Sequence, residues 1–173
     1  METFDAHLHI IAPGFPLTPN QGYLPDFFTV DDYLAQARPL GITGGAVVSG
    51  SFQGFDQTWL LDALQKLGPG FVGVTQLPAG TPDEVILDLD SKGVRAVRFN
   101  LQRGGSEHQS ELERVALRVH DLCGWHVELY VANRELAGLR DPLANCRKSP
   151  STISGSQRTV STISYGWSNA VHT

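Results

Sequence analysis

Thr3-Phe4-Asp5-Ala6-His7-Leu8-His9-Ile10 alternates with a period of two: Phe4, Ala6, Leu8 and Ile10 are apolar, and Asp5, His7 and His9 fall between them. Successive side chains of a strand leave on opposite faces, so this stretch predicts a strand with one apolar face and both imidazoles on the other. A Pro- and Gly-rich loop follows from Pro13 to Pro25, and Thr29 then caps a helix that runs through Tyr33, Leu34 and Ala37 and stops near Pro39 and Gly41. The order strand, loop, helix recurs down the chain. Ile42 to Val48 is an apolar run of strand length, and Asp56 to Leu67 places Trp59, Leu60, Ala63, Leu64 and Leu67 on one helical face. Phe71 to Leu77 predicts a third strand. Thr81-Pro82-Asp83-Glu84 reads as a capping box with proline at the first helical position, opening a helix that ends at Gly93. Val94 to Asn100 is a fourth strand. Leu112, Val115, Ala116, Val119, Leu122 and Cys123 form a helical stripe, and His126 to Ala132 is a fifth strand.

Five strands alternating with helices predict an α/β protein of right-handed βαβ units around a parallel sheet, either open and doubly wound or closed as a TIM-type barrel. Periodicity alone does not choose between the two. After about Leu139 the text becomes rich in Ser and Thr and loses its period. The expected organisation is therefore a barrel-forming part over residues 1–139 and an irregular or disordered tail over 140–173, in which Thr159 to Tyr165 keeps the character of a strand. A complete barrel has eight units in about 250 residues, so the sequence reads as roughly three units short.

With 173 residues, 41% hydrophobic and 18% charged, the chain is long enough and apolar enough for one core. A net charge of -5 without any Lys/Arg cluster disfavours nucleic acid as a partner. No apolar run approaches a membrane span, and the acidic start does not read as a secretory signal, so a soluble, cytoplasmic protein is expected. Cys123 and Cys146 form neither a zinc motif nor a disulfide framework.

The chemistry-bearing residues gather at the predicted strand ends. His7 and His9, two apart on one strand, emerge roughly 6.6 Å apart along the backbone, close enough for their imidazoles to converge on one divalent ion such as zinc. The plainer reading makes them polar residues at the mouth of a sheet. A catalytic zinc takes three protein ligands, so the pair does not complete a site. On the fourth strand Val94, Ala96, Arg98 and Asn100 are expected to share one face, with Arg98 at the C-terminal end where α/β active sites gather and where it can grip a carboxylate. Arg103 reads equally as a second contact or as a solvated charge. Tyr130, near the same end of the fifth strand, reads as a hydrogen-bond donor to a substrate oxygen or as a tyrosine whose hydroxyl serves the fold. Asp5 could orient a histidine from behind.

The segments Phe4-Asp5-Ala6-His7-Leu8-His9, Gly93-Val94-Arg95-Ala96-Val97-Arg98-Phe99-Asn100-Leu101 and Trp125-His126-Val127-Glu128-Leu129-Tyr130 resemble the amidohydrolase-related TIM-barrel hydrolases over residues 3–139, in particular their 2-pyrone-4,6-dicarboxylate lactonase-like branch. The resemblance implies a (β/α)8 barrel, of which only the first five β/α units are expected here, and hydrolysis of a lactone, ester or amide bond in a small carboxylated molecule. It implies His7 and His9 as catalytic residues and metal ligands, and Arg98, Arg103 and Tyr130 as substrate-binding residues. It also implies a divalent metal such as zinc, which lactonases of this branch can do without.

Two features of that pattern are missing from the sequence: a strand ending in Asp-His, and a late aspartate that serves as ligand or base. Lys148-Ser149-Pro150-Ser151-Thr152-Ile153-Ser154 stands where the Asp-His strand is expected, as in a truncated or frame-shifted gene. The alternative is thus a non-catalytic remnant that binds a small carboxylate or nothing, with barrel edges exposed to pair as a homo-oligomer. A doubly wound nucleotide-binding protein is disfavoured, because no G-x-G-x-x-G turn follows the first strand.

Overall fold

The structure is a computed structural model that describes residues 3–20, 22–132, 135, 138 and 139, and the backbone of 152–154 and 160–165. Five parallel strands, β1 (Thr3–Leu8), β2 (Ile42–Val48), β3 (Phe71–Thr75), β4 (Val94–Asn100) and β5 (His126–Ala132), pair in sequence order. Helices α1 (Val30–Ala37), α2 (Thr58–Leu67), α3 (Asp83–Ser91) and α4 (Leu112–Cys123) connect them. A doubly wound sheet reverses its strand order at a switch point. The sequential order here excludes that alternative and gives a curled half-barrel with one layer of helices outside.

The two faces of the sheet carry different cores. Outside, Leu8, Val47, Phe71, Val97, Phe99, Val127, Leu129 and Val131 pack against Tyr33, Trp59, Leu60, Leu64, Ile86, Leu89, Leu112, Val115 and Val119 of the helices. Inside, Ala46, Val48, Val74 and Ala96 form a second, smaller cluster with Val72 against it. Small interior residues leave room for the larger polar side chains at the strand ends. Val94 joins the outer cluster, against the expectation that it faces inward with Ala96: the β3–β4 register shifts between Gly73 and Val74, so the alternation does not extend to the start of β4.

β1 also departs from the simple alternation. Its register with β2 shifts between Asp5 and Leu8, and Asp5 accepts a hydrogen bond at 3.1 Å from Tyr33 Oη of α1. The Asp5 carboxylate also accepts the backbone N–H of His7 at 3.2 Å, so it anchors the strand and does not orient an imidazole. Phe4 is 56% exposed on β1, which among the described residues is an edge strand paired with β2 alone.

Thr29 caps α1, as the sequence predicts, and Asp32 closes a reciprocal capping box with it that the sequence reading did not include. The predicted Thr81 box does not form. Pro82 is the residue before the first turn of α3, Thr81 Oγ1 donates to Pro78 O, and Arg118 of α4 holds Thr81 O and the Asp83 carboxylate. Beyond β5, strand β6 (Thr152–Ser154) pairs antiparallel with β7 (Val160–Tyr165), and β7 pairs antiparallel with β5. The strand character read at Thr159 to Tyr165 is therefore real from Val160 on. The remainder of the 140–173 tail lies outside the described residues. Among the described residues no helix is long and apolar enough to cross a membrane.

Candidate active site

The C-terminal ends of β1, β2, β4 and β5 surround a cavity of about 260 Å³ lined by His7, His9, Arg98, Arg103 and Tyr130, together with Tyr23, Ser51, Phe52 and Asn100. The five residues expected to hold metal or substrate thus border one space, and Asp5 does not line it. A larger cavity of 840 Å³ opens at the N-terminal ends of β3 and β4, between Leu61, Leu64, Lys92 and Arg95. It contains no histidine and lies at the end of the strands where barrel chemistry is not found, so size is a poor guide here.

The two imidazoles meet edge to face, with Nε2 of His7 3.3 Å from Nε2 of His9. His9 Nδ1 lies 2.7 Å from Val48 O, an acceptor that fixes Nδ1 as the protonated nitrogen and leaves Nε2 bare. Burial depresses both histidines below the usual range, helped by the Arg98 charge. His7 falls to about 3, and at His9 the hydrogen bond to Val48 opposes the shift. Both are therefore neutral at pH 7, the form that binds metal.

Arg98 is 4% exposed, and Ser49 O accepts from its Nη1 at 3.2 Å. Its Nε lies 3.4 Å from Oε1 of Glu128, which is 3% exposed, and its Cζ sits 5.2 Å from the centroid of the Tyr130 ring. The same Oε1 is 3.6 Å from His7 Nδ1. Burial pushes the Glu128 carboxyl up, with Arg98 pulling it back, and burial lowers Arg98. Glu128 shares a face with Tyr130, two residues away, which was the signal available in the sequence. Its pairing across to β1 and β4 was not.

Arg103 is exposed and held by the loop after β4. Asn100 Oδ1 accepts its backbone N–H at 3.1 Å, Asn20 Nδ2 donates to its carbonyl at 2.8 Å, and its guanidinium lies 5.9 Å from the Tyr23 ring. Tyr23 and Asn20 come from the long loop after β1, whose lack of periodicity gave no sign that it walls the cavity.

Tetrahedral coordination with metal–nitrogen distances of about 2.0–2.1 Å places two donor nitrogens roughly 3.3–3.4 Å apart, so the His7–His9 separation fits a shared ion. The fit is partial. Among the described residues, no group of three or more His, Cys, Asp or Glu is placed to hold a metal.

A family model described as amidohydrolase matches residues 4–163. The chain belongs to the amidohydrolase family. Members of this family are generally metal-dependent. This amidohydrolase-family chain is 31% identical over 148 residues to a 4-sulfomuconolactone hydrolase of Rhizobium radiobacter, a match that covers 82% of the chain and 48% of the relative. It is 32% identical over 141 residues to a 2-pyrone-4,6-dicarboxylate hydrolase of Comamonas testosteroni, covering 79% and 46%. The chain thus spans about half the length of the curated relatives it matches. In fold it is similar to an apo crystal structure of an Agrobacterium tumefaciens protein, with a TM-score of 0.75 and 24% identity over 84% of this chain and 53% of the other. An Acinetobacter baumannii protein crystallised with citric acid bound gives a TM-score of 0.72 at 24% identity, covering 83% and 55%.

Proposed function

We propose that this chain carries the N-terminal half of the active site of a lactone hydrolase that acts on a small carboxylated molecule. The observation that carries the reading is the convergence of His7, His9, Arg98, Arg103 and Tyr130 on one cavity at the C-terminal strand ends. The two curated relatives named above, both lactone hydrolases by name, support it. Arg98 gives one of its five N–H donors to Ser49 O and turns Nε toward its ion-pair partner Glu128, and a substrate carboxylate takes donors of the remaining guanidinium edge. Arg103 supplies a second positive charge at the rim, and Tyr130 donates to a substrate oxygen.

His7 and His9 would hold a divalent cation such as zinc between their Nε2 atoms. Such an ion polarises a carbonyl and lowers the pKa of a bound water to about 7. The reading assigns residues 1–139 to the barrel and 140–173 to an irregular Ser/Thr-rich tail, of which Val160–Tyr165 pairs with β5. It also places the protein in the cytoplasm, in keeping with its sparse cysteines.

A second reading, binding without turnover, is favoured by one observation: only two candidate ligands converge among the described residues. The test is to incubate the purified chain with 2-pyrone-4,6-dicarboxylate, with and without added Zn²⁺, and follow loss of the pyrone absorbance. Turnover that disappears in His7→Ala/His9→Ala is the expected result. Calorimetric binding by the wild type without turnover, lost in the stability-compensated Arg98→Met/Glu128→Leu, selects the second reading, and neither binding nor turnover sinks both. The double histidine variant is also expected to lose divalent-metal binding. Unchanged metal stoichiometry removes the pair as ligands.

A further inference from the structure

We propose that Glu128 is a positioning residue that fixes the tautomer of His7 and ties it to Arg98. A neutral imidazole has one N–H to give. His9 spends its own on Val48 O, so its Nε2 faces His7 as a bare lone pair. His7 is then offered two acceptors at once, Glu128 Oε1 at 3.6 Å from Nδ1 and His9 Nε2 at 3.3 Å from Nε2. It satisfies only one of them.

A carboxylate accepts roughly twice as strongly as a neutral nitrogen, and Oε1 of Glu128 is buried without a formed hydrogen bond, a state that costs free energy until a donor closes on it. Both contacts of Oε1, to His7 Nδ1 and to Arg98 Nε, lie just beyond hydrogen-bond length, a gap that a small side-chain rotation closes. The proton of His7 belongs on Nδ1.

Three consequences follow from that assignment. Both histidines then present bare Nε2 atoms to the same point, the arrangement a shared cation needs and one that repels without it. A carboxylate behind a ligating histidine also sets its ring orientation and basicity. One carboxylate oxygen, moreover, couples the histidine pair to the arginine proposed to hold the substrate, so neither moves independently of the other.

The inference deepens the lactone-hydrolase reading and rests on it for its meaning, but its test needs neither substrate nor metal. Long-range ¹H–¹⁵N correlation spectra of the ¹⁵N-histidine-labelled chain read each tautomer, with His7 assigned by the signals missing in His7→Asn. The expected result is His7 protonated on Nδ1 at neutral pH. In Glu128→Met the ratio shifts toward the Nε2–H form by about tenfold or more, the effect of losing a charge-assisted acceptor. Wild-type His7 found in the Nε2–H form overturns the proposal even where the variant does not fold. A folded Glu128→Met variant that is less stable but keeps the wild-type tautomer ratio also overturns it, and leaves Glu128 as a counter-ion of Arg98 alone. A substrate assay that fails while the tautomer shifts counts against the hydrolase reading only.

Discussion

Removing the Arg98 guanidinium leaves the Glu128 carboxylate buried without its cation. Breaking one side of a buried pair costs about 3–5 kcal/mol, whereas replacing both sides by apolar groups is often neutral. Arg98→Met is therefore expected to lower the urea midpoint severely, and Arg98→Met/Glu128→Leu to recover most of the loss. A double variant no more stable than the single would show that the pair is not coupled as its 3.4 Å separation implies. The partly covered histidines make a separate contribution that depends on pH, His7 the least enclosed of them with a side chain 35% exposed. His7, His9 and His126 are all held below the ordinary 6.5, each mainly by burial. Below pH 6.5 the unfolded chain takes up protons that the folded chain refuses, so stability falls as pH drops from 6.5 toward the folded values, about 3 for His7. Glu128, raised by burial, works in the opposite sense, since acid relieves its cost. His126→Asn isolates one histidine: the loss in unfolding free energy between pH 7.5 and 5 is expected to be smaller than in the wild type. An equal loss would remove His126 from the account.

The turn after β2 and the loop after β4 meet beside the cavity, and glycine permits the contact. Gly105 has φ of +77°, and a Cβ there would lie 2.5 Å from Ser51 O, in the wall of the candidate site. Gly105→Ala is expected to cost about 1–3 kcal/mol through left-handed backbone strain, with the clash pushing Ser51 aside. Thermal unfolding measures the cost, and a variant as stable as the wild type would mean that the loop relaxes freely. Much of this element-level architecture was legible in the sequence. The bounds of β2, β4, β5 and α4 follow directly from apolar runs and one helical stripe, because those elements bury a continuous face. The bulge in β1, the shift at Gly73 and the missing Thr81 cap were not legible, since each is decided by a partner far along the chain: Tyr33 for Asp5, the β3–β4 register for Val94, Arg118 for α3. The site follows the same rule. His7 and His9 announced themselves by spacing within one strand, whereas Glu128 matters through contacts to β1 and β4 that no local pattern encodes.

For the whole molecule, the unresolved demand is the sheet itself. Among the described residues β1 pairs with β2 alone, and a row of backbone N–H and C=O groups faces outward beside the exposed Phe4. A barrel disposes of such edges by closing, which takes eight strands, and the parallel units described here number five. An open edge next to an exposed aromatic ring is a template for pairing with another strand, and a second copy of the chain supplies one at no cost in sequence. Concentration-dependent self-association is therefore expected. Sedimentation velocity across a hundredfold range of concentration should show the weight-average coefficient rising with protein. Phe4→Lys places a charge on that edge without touching the core, and it should shift the association to higher concentration while leaving the unfolding midpoint of the dilute chain nearly unchanged. A wild-type chain that sediments as a monomer throughout would mean that the β1 edge is already satisfied, and the search for its partner would move to the segments beyond β5.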